Sequence, residues 1–122
     1  MTQEQKDLLL KDLCARLPYG VKVQDTYYNS FEPAPIWLLD LNAQKVRLFA
    51  DEGYQSIEYI KPYLFPMSSM TEEQKREEYK LMTSNFYTST IEFPDFYNKN
   101  HIDYRGLIPM GLAKDATGLN IY

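Results

Sequence analysis

The sequence predicts an α+β fold in which helical segments pack on a small antiparallel sheet. Apolar residues recur at steps of three and four over residues 1–17, which is the helical period. Over residues 20–66 they alternate with polar residues, as in strands with one buried face. Residues 67–122 return to helix signals and end in a glycine- and proline-marked tail. A chain of 122 residues supports one hydrophobic core, so we expect a single domain over residues 1–122.

Residues 1–17 are predicted to form an amphipathic helix. Thr2 and Gln5 have the spacing of a capping box, in which each side chain bonds a backbone N–H at the helix start. Pro18 and Gly20 end the pattern, because proline interrupts a helix and glycine readily follows one. The stripe expected to face the core consists of Leu9, Leu10, Leu13, Cys14 and Leu17.

Residues 20–66 are predicted to form four or five short antiparallel strands. Parallel pairing needs long crossover connections, and the turns between these segments are short. The strands would therefore form a meander that curls into an SH3-like barrel, or that remains a strongly bent open sheet under the first helix. The strand pattern occurs in VKVQ (21–24), IWLLDL (36–41), KVRLFA (45–50) and QSIEYI (55–60).

Residues 67–122 are predicted to combine helices with a docking tail. Thr71 and Gln74 form one of two overlapping capping-box candidates for a second helix, and Ser69 with Glu72 forms the other. The segment 88–93 has strand character and residues 94–100 favour one or two helical turns. The sequence leaves open whether residues 86–97 are helical or extended. The thin apolar stripe of the second helix consists of Tyr79, Leu81, Met82 and Phe86.

Charge disfavours nucleic-acid binding but leaves it as an alternative. The net charge is −4 and no block of the chain is strongly basic, so few cations are present to neutralise phosphates. Small barrels nevertheless often present aromatic rings to single strands. Lys22, Lys45 and Arg47 would supply the cations for such binding on the outward face of the sheet.

Cysteine usage and hydropathy predict a cytoplasmic protein. Cys14 is the only cysteine, so no internal disulfide forms and a reducing compartment is favoured. No run approaches the roughly 18 apolar residues that a bilayer span needs. Acidic residues stand where a signal peptide would be basic. We expect no membrane partner, and the oligomeric state is open.

Aromatic residues make up 15% of the chain and include eleven tyrosines, a surplus typical of half-buried positions and contact surfaces. Tyr27, Tyr28, Phe31 and Trp37 flank a proline-containing loop. If they are exposed, such rings are effective anchors for a protein partner. Alternatively, Phe31 and Trp37 belong to the core. A non-catalytic protein-binding module, an adaptor or inhibitor that uses these four residues, is the first functional hypothesis.

An enzyme is the third hypothesis and rests on His101 and Asp103. Such a pair needs a nucleophile or a substrate proton within hydrogen-bond reach. Cys14 is the only thiol, and in the expected apolar stripe its pKa would be raised, which disfavours attack. One histidine and one cysteine give no zinc-ligand spacing. The sequence therefore predicts no catalytic residue, no metal and no other cofactor.

The structural interpretation of the same stretch is a docking clasp. Asp103 would cap the turn that follows it, while Gly106 and Gly111 permit positive φ or a close backbone approach. Arg105 would pair with Asp103 or with a carboxylate on the sheet. The clasp consists of Asp103, Tyr104, Arg105, Gly106, Pro109 and Gly111.

Three blocks of the chain resemble a family of short uncharacterised proteins from gut Bacteroides-type bacteria and their prophages or other mobile elements. The blocks are DLCARLPYGVKV (12–23), IKPYLFPMSSMTEEQK (60–75) and NKNHIDYRGLIPMGLA (98–113). The resemblance implies a bacterial or phage origin. It implies no activity and no catalytic or binding residues.

Overall fold

The computed structural model of the chain describes residues 1–27, 32–48, 53–83 and 94–122. The helices in these residues are α1 (Gln3–Arg16), α2 (Glu72–Met82) and α3 (residues 94–99). Short 3-10 turns occupy Leu17–Tyr19, Ile57–Tyr59 and Met67–Ser69. The strands are β1 (Lys22–Asp25), β2 (Ala34–Pro35), β3 (Leu38–Asp40), β4 (Lys45–Arg47), β5 (Gln55–Ser56), β6 (Ile60–Leu64) and β7 (Lys114–Asp115).

The strands form two sheets under and beside the helices, which confirms the α+β prediction. One sheet has the order β2-β1-β6-β7 and the other the order β3-β4-β5. Within the described residues these are two separate sheets and not a closed barrel. Residues 34–40 connect them, because β2 pairs with β1 whereas β3, which follows directly, pairs with β4.

The strand pairs described within residues 20–66 are antiparallel, as predicted, but their order is not that of a meander. β1 and β2 pair in chain order, as do β3, β4 and β5, whereas β1 also pairs with the distant β6. Beyond that range, β7 pairs in parallel with β6, with Tyr63 opposite Lys114. The crossover that parallel pairing needs is the segment containing α2 and α3. A two-residue strand has too little alternation to be recognised in the sequence.

Helix α1 begins at the predicted capping box. The Gln5 N–H donates to Thr2 Oγ1 at 3.1 Å, and the Thr2 N–H donates to Gln5 Oε1 at 3.0 Å. The predicted apolar stripe is wrong in its second half, because Cys14 and Leu17 are exposed. An ion pair takes the inward positions instead. The buried stripe consists of Leu9, Asp12, Leu13 and Arg16, with Leu10 beside it.

The hydrophobic core lies between α1 and the two sheets. Val46 on β4 points inward and is fully buried, while its neighbours Lys45 and Arg47 are not. On β1, Gln24 is buried as well as Val23, so both faces of this strand are covered at these positions. The core cluster consists of Leu9, Leu10, Leu13, Val21, Val23, Val46, Ile57, Ile60, Leu64, Leu107, Leu112 and Ala113.

Helix α2 is attached by polar contacts and not by the predicted apolar stripe. It begins at the Thr71–Gln74 capping box, and none of its residues is buried among the described side chains. Tyr79 and Met82 are exposed. The Tyr97 hydroxyl donates to Glu78 Oε2 at 2.8 Å. The predictions for Phe86 and for residues 88–93 lie outside the described residues, and residues 94–97 are helical.

No helix in the described part of the chain has the length and the apolar character that crossing a bilayer requires.

Candidate functional site

The clasp is a backbone turn that Asp103 organises. The two carboxylate oxygens of Asp103 accept hydrogen bonds from the backbone N–H groups of Leu107 at 2.8 Å and Ile108 at 2.9 Å. Gly106 and Gly111 both adopt a φ of 76°. Nothing lies within 4 Å of a Cβ built at either glycine, so the backbone conformation and not space selects glycine there. Asp103 itself is buried, which places a charged group under the turn.

Two side chains of α1 hold the clasp. Arg16 Nε donates to Asp12 Oδ2 at 2.9 Å, and both side chains have 0% exposure. The guanidinium also donates to the carbonyl oxygens of Ile102 at 2.7 Å and Tyr97 at 3.5 Å. The ion pair therefore satisfies the backbone carbonyls that lead into the clasp, whereas Asp12 Oδ1 is buried without a hydrogen-bond partner among the described residues.

Arg105 pairs with Asp12 on α1, whereas the sequence suggested Asp103 or a carboxylate on the sheet. Its Nε lies 3.5 Å from Asp12 Oδ1, and its guanidinium lies 4.6 Å from the centre of the Tyr104 ring. Asp103 is not available, because both its oxygens are bonded to the turn. Burial raises the pKa of Asp12, and the charge of Arg16 opposes that effect.

Sequence reasoning missed Asp12 and Arg16. A signal for them exists, because residues 12 and 16 have the spacing of a helical ion pair and share a face with Leu9 and Leu13. Because Asp–Arg pairs on helices are usually exposed to solvent, the spacing alone does not indicate that the Asp12–Arg16 pair is buried.

The side chains of His101 and Asp103 have different partners in this structure. They share no hydrogen bond among the described residues, and the oxygens of Asp103 accept backbone N–H groups. The His101 ring stacks on Tyr122, with ring centres 3.7 Å apart and an interplanar angle of 13°. Its Nδ1 is buried and has no hydrogen-bond partner within the part of the chain that the structure describes. His101 adopts a φ of 57°, which is unusual for a residue other than glycine.

Acid is expected to destabilise the fold through His101. Burial, with Arg16 and Lys22 nearby, lowers the pKa of His101 to about 4. The unfolded chain binds this proton near pH 6.5, so stability falls as the pH drops from about 6.5 to about 4, by up to about 3 kcal/mol. Urea unfolding at a series of pH values measures the loss.

The control for this prediction is His101→Asn, because asparagine tolerates positive φ and does not titrate. The dependence of stability on pH should be flatter in this variant than in the unmodified chain. Equal dependence in the two proteins over this pH range would show that His101 is not the group responsible.

The structure places the predicted binding residues in two groups. Tyr27 and Trp37 are exposed by 58% and 53%, so the alternative of a core Trp37 is wrong. The Tyr27 ring lies 5.0 Å from that of Tyr59 in an edge-on contact. Trp37 instead lies beside Arg47. Tyr28 and Phe31 lie outside the described residues.

Trp37, Arg47 and Tyr54 form a row that we call the arginine ladder. The guanidinium carbon of Arg47 lies 5.8 Å from the centre of the Trp37 ring and 4.4 Å from that of Tyr54. The backbone N–H of Trp37 donates to the backbone carbonyl oxygen of Arg47 at 2.9 Å, which fixes Trp37 beside Arg47. Sequence reasoning missed Tyr54. Alternation along β4 indicates that Lys45 and Arg47 face outward, but Tyr54 lies outside that strand.

The described residues offer no metal site. Within 1–27, 32–48, 53–83 and 94–122, no three His, Cys, Asp or Glu side chains are grouped to hold a metal ion. Comparison with protein-family models, with curated proteins and with solved structures gives no match. The resemblance described above therefore stays a prediction, and the functional argument depends on the geometry of the chain.

Proposed function

We propose that the chain is a small non-catalytic protein-binding module, an adaptor or inhibitor. Its contact surface is the outward face of β3, β4 and β5, with the arginine ladder at its centre. The observation that carries the proposal is the position of Trp37, which is more than half exposed and yet held against a cation. Tryptophan, tyrosine and arginine are the residue types that contribute most to binding at protein interfaces.

An aliphatic side chain adjoins the arginine ladder. Leu38, directly opposite Arg47 in the register of β3 and β4, is exposed. Trp37 and Tyr54 add exposed aromatic area to the same face. Exposed apolar groups that adjoin one another, unlike isolated ones, are typical of contact surfaces. The face therefore combines aromatic anchors with aliphatic area.

We also propose that the two sheets are the halves of an SH3-like arrangement. In support, β1 pairs with both β2 and β6, the segment 34–40 passes from one sheet to the other, and a 3-10 turn separates β5 from β6. The resemblance of the three sequence blocks supports a bacterial or phage origin, and the single cysteine supports a cytoplasmic setting, as parts of the same proposal. Fold alone does not indicate function, so the binding proposal depends on the exposed face.

Trp37→Ala is expected to weaken partner binding by about thirty-fold, because an interface anchor of this type contributes about 2 kcal/mol. The matched control is Tyr79→Ala, which removes an exposed ring from α2. Tagged chain would be incubated with nuclease-treated lysate of a gut Bacteroides-type bacterium, and the captured proteins would be quantified by mass spectrometry. Proteins captured equally by the two variants, both with unchanged circular dichroism, would contradict the proposed surface.

Nucleic-acid binding is the second candidate, because Trp37 and Tyr54 flank a cation on an outward face. It has less support. Of the three cations it would use, Lys22 is occupied, since its ammonium donates to the Ile121 carbonyl oxygen and lies over the Tyr122 ring. Two remaining cations on a chain of net charge −4 provide little phosphate neutralisation.

A further inference from the structure

We infer that the arginine ladder is a carboxylate-binding subsite, which receives an acidic side chain of a protein partner flanked by apolar residues. The inference rests on the proposed protein-binding function and specifies the chemistry of the partner. It depends on the missing counter-charge of Arg47, on the rings that hold its guanidinium, and on the exposed leucine opposite it, Leu38.

Arg47 has no counter-ion within the described residues. The ion pairs found there involve Lys6, Arg16, Lys75 and Arg105. The carboxylate nearest to Arg47 along β3 is Asp40, which lies opposite Lys45 in the strand register. One oxygen of Asp40 accepts the Ala43 N–H at 3.0 Å. The charge of Arg47 is therefore left for a group outside the described chain.

The rings of Trp37 and Tyr54 restrict the orientation of the Arg47 guanidinium before a partner binds. Rings at 5.8 Å and 4.4 Å from its carbon restrict the rotamers of Arg47 before a partner arrives. Less conformational entropy is then lost on association than for a freely moving arginine. Arg47 Nε is buried and has no hydrogen-bond partner among the described residues, which leaves the two terminal nitrogens for an incoming group. A planar fork of this kind matches the geometry of a carboxylate.

The surroundings of Arg47 favour a protein carboxylate over a nucleic-acid phosphate. Leu38, exposed and opposite Arg47 in the strand register, provides an aliphatic contact for a residue next to the acid. A phosphate backbone would need a row of cations, whereas the outward face of β4 offers only Lys45 and Arg47. A guanidinium held by two rings beside an exposed leucine suits one acidic side chain within an apolar segment.

Trp37 is the only tryptophan, so its fluorescence reports directly on the subsite. The probes are three capped six-residue peptides that alternate leucine with glutamate, with glutamine or with lysine. We expect the glutamate peptide to change Trp37 emission and to bind about ten-fold more tightly than the glutamine peptide, as charge-assisted hydrogen bonds imply. The lysine peptide should bind most weakly.

Arg47→Gln should abolish the preference for the glutamate peptide, and Arg47→Lys should retain part of it. The matched control is Arg76→Gln, which removes an exposed arginine from α2 and should leave the preference unchanged. Circular dichroism of all the variants would exclude unfolding as the cause of any loss.

The outcomes separate the inference from the proposed function. Equal binding of the glutamate and glutamine peptides, or a preference that survives Arg47→Gln, would overturn the carboxylate subsite. Failure of every peptide to bind would also overturn it, while the lysate experiment with Trp37→Ala would still decide the proposed function. Tight binding of oligo-dT at low salt that weakens steeply with added salt, without peptide binding, would overturn both.

Discussion

Replacing Arg16 with leucine is expected to lower the free energy of unfolding by about 3–5 kcal/mol. The substitution removes the hydrogen bonds that Arg16 makes to Asp12 and to the backbone of Ile102 and Tyr97. Asp12 is then left as a fully buried carboxylate whose remaining cation, Arg105, lies 3.5 Å away. A buried carboxylate that has lost its hydrogen-bond donor and has no access to water is costly, and Arg105 at that distance offsets only part of the loss. Urea unfolding followed by circular dichroism measures the loss.

The double variant Asp12→Leu with Arg16→Leu is the informative control. Replacing both members of a buried ion pair by apolar side chains is often close to neutral. We expect the double variant to be more stable than Arg16→Leu alone by at least about 1 kcal/mol. A double variant that loses the sum of the two single losses would contradict the argument, because it would show no coupling between Asp12 and Arg16.

Asp103→Ala is expected to lower the free energy of unfolding by about 2–4 kcal/mol, since two charge-assisted hydrogen bonds are lost. The N–H groups of Leu107 and Ile108, which donate to Asp103, would have no acceptor in its place. Leu107 is fully buried in the core, so loosening the turn also disturbs packing. Asp103→Asn keeps one acceptor oxygen and should be less harmful than Asp103→Ala.

Asp115→Ala is the matched control for this prediction. Asp115 Oδ1 accepts the Thr117 N–H at 2.8 Å, but the residue is exposed, so water replaces the lost contact. We expect a loss below about 1 kcal/mol. Similar losses for Asp103→Ala and Asp115→Ala in urea unfolding would show that the clasp is not the anchor described here.

Elements with local signals could be predicted from the sequence. The capping boxes at Thr2 and Thr71 need only residues three positions away, and both stand at the start of a helix in the structure. The outward position of Arg47 follows from alternation along β4. In each case the deciding interactions lie within one turn or one strand.

Features that depend on distant residues could not be predicted in this way. β7 has only two residues, and its parallel pairing with β6 involves residues about fifty positions apart in the chain. The inward position of Arg16 depends on the Ile102 carbonyl, which the sequence near α1 does not reveal. The sequence predicts Cys14 in the core for the same reason. Apolar periodicity gives no sign that a charged pair occupies the buried stripe of a helix.

Part of the candidate site could be predicted from the sequence. Trp37 could be named from composition and loop position, but its exposure depends on strand register, since a shift of one residue reverses the face of every side chain. The pairing of Leu38 with Arg47 provides that register, and it also brings Trp37 beside Arg47. Tyr54 directly precedes the two-residue strand β5, where alternation gives no usable pattern.

The bond between Arg16 and the Ile102 carbonyl has a consequence for biosynthesis, because the two residues are 86 positions apart. At translation rates of about 5–20 residues per second, Ile102 is made roughly 4–17 s after Arg16. During that interval Arg16 lacks this acceptor, although the leucines of α1 already have core partners on β1, β4 and β6. The buried arginine is therefore the part of α1 whose interactions are completed last, after Ile102 has been synthesised.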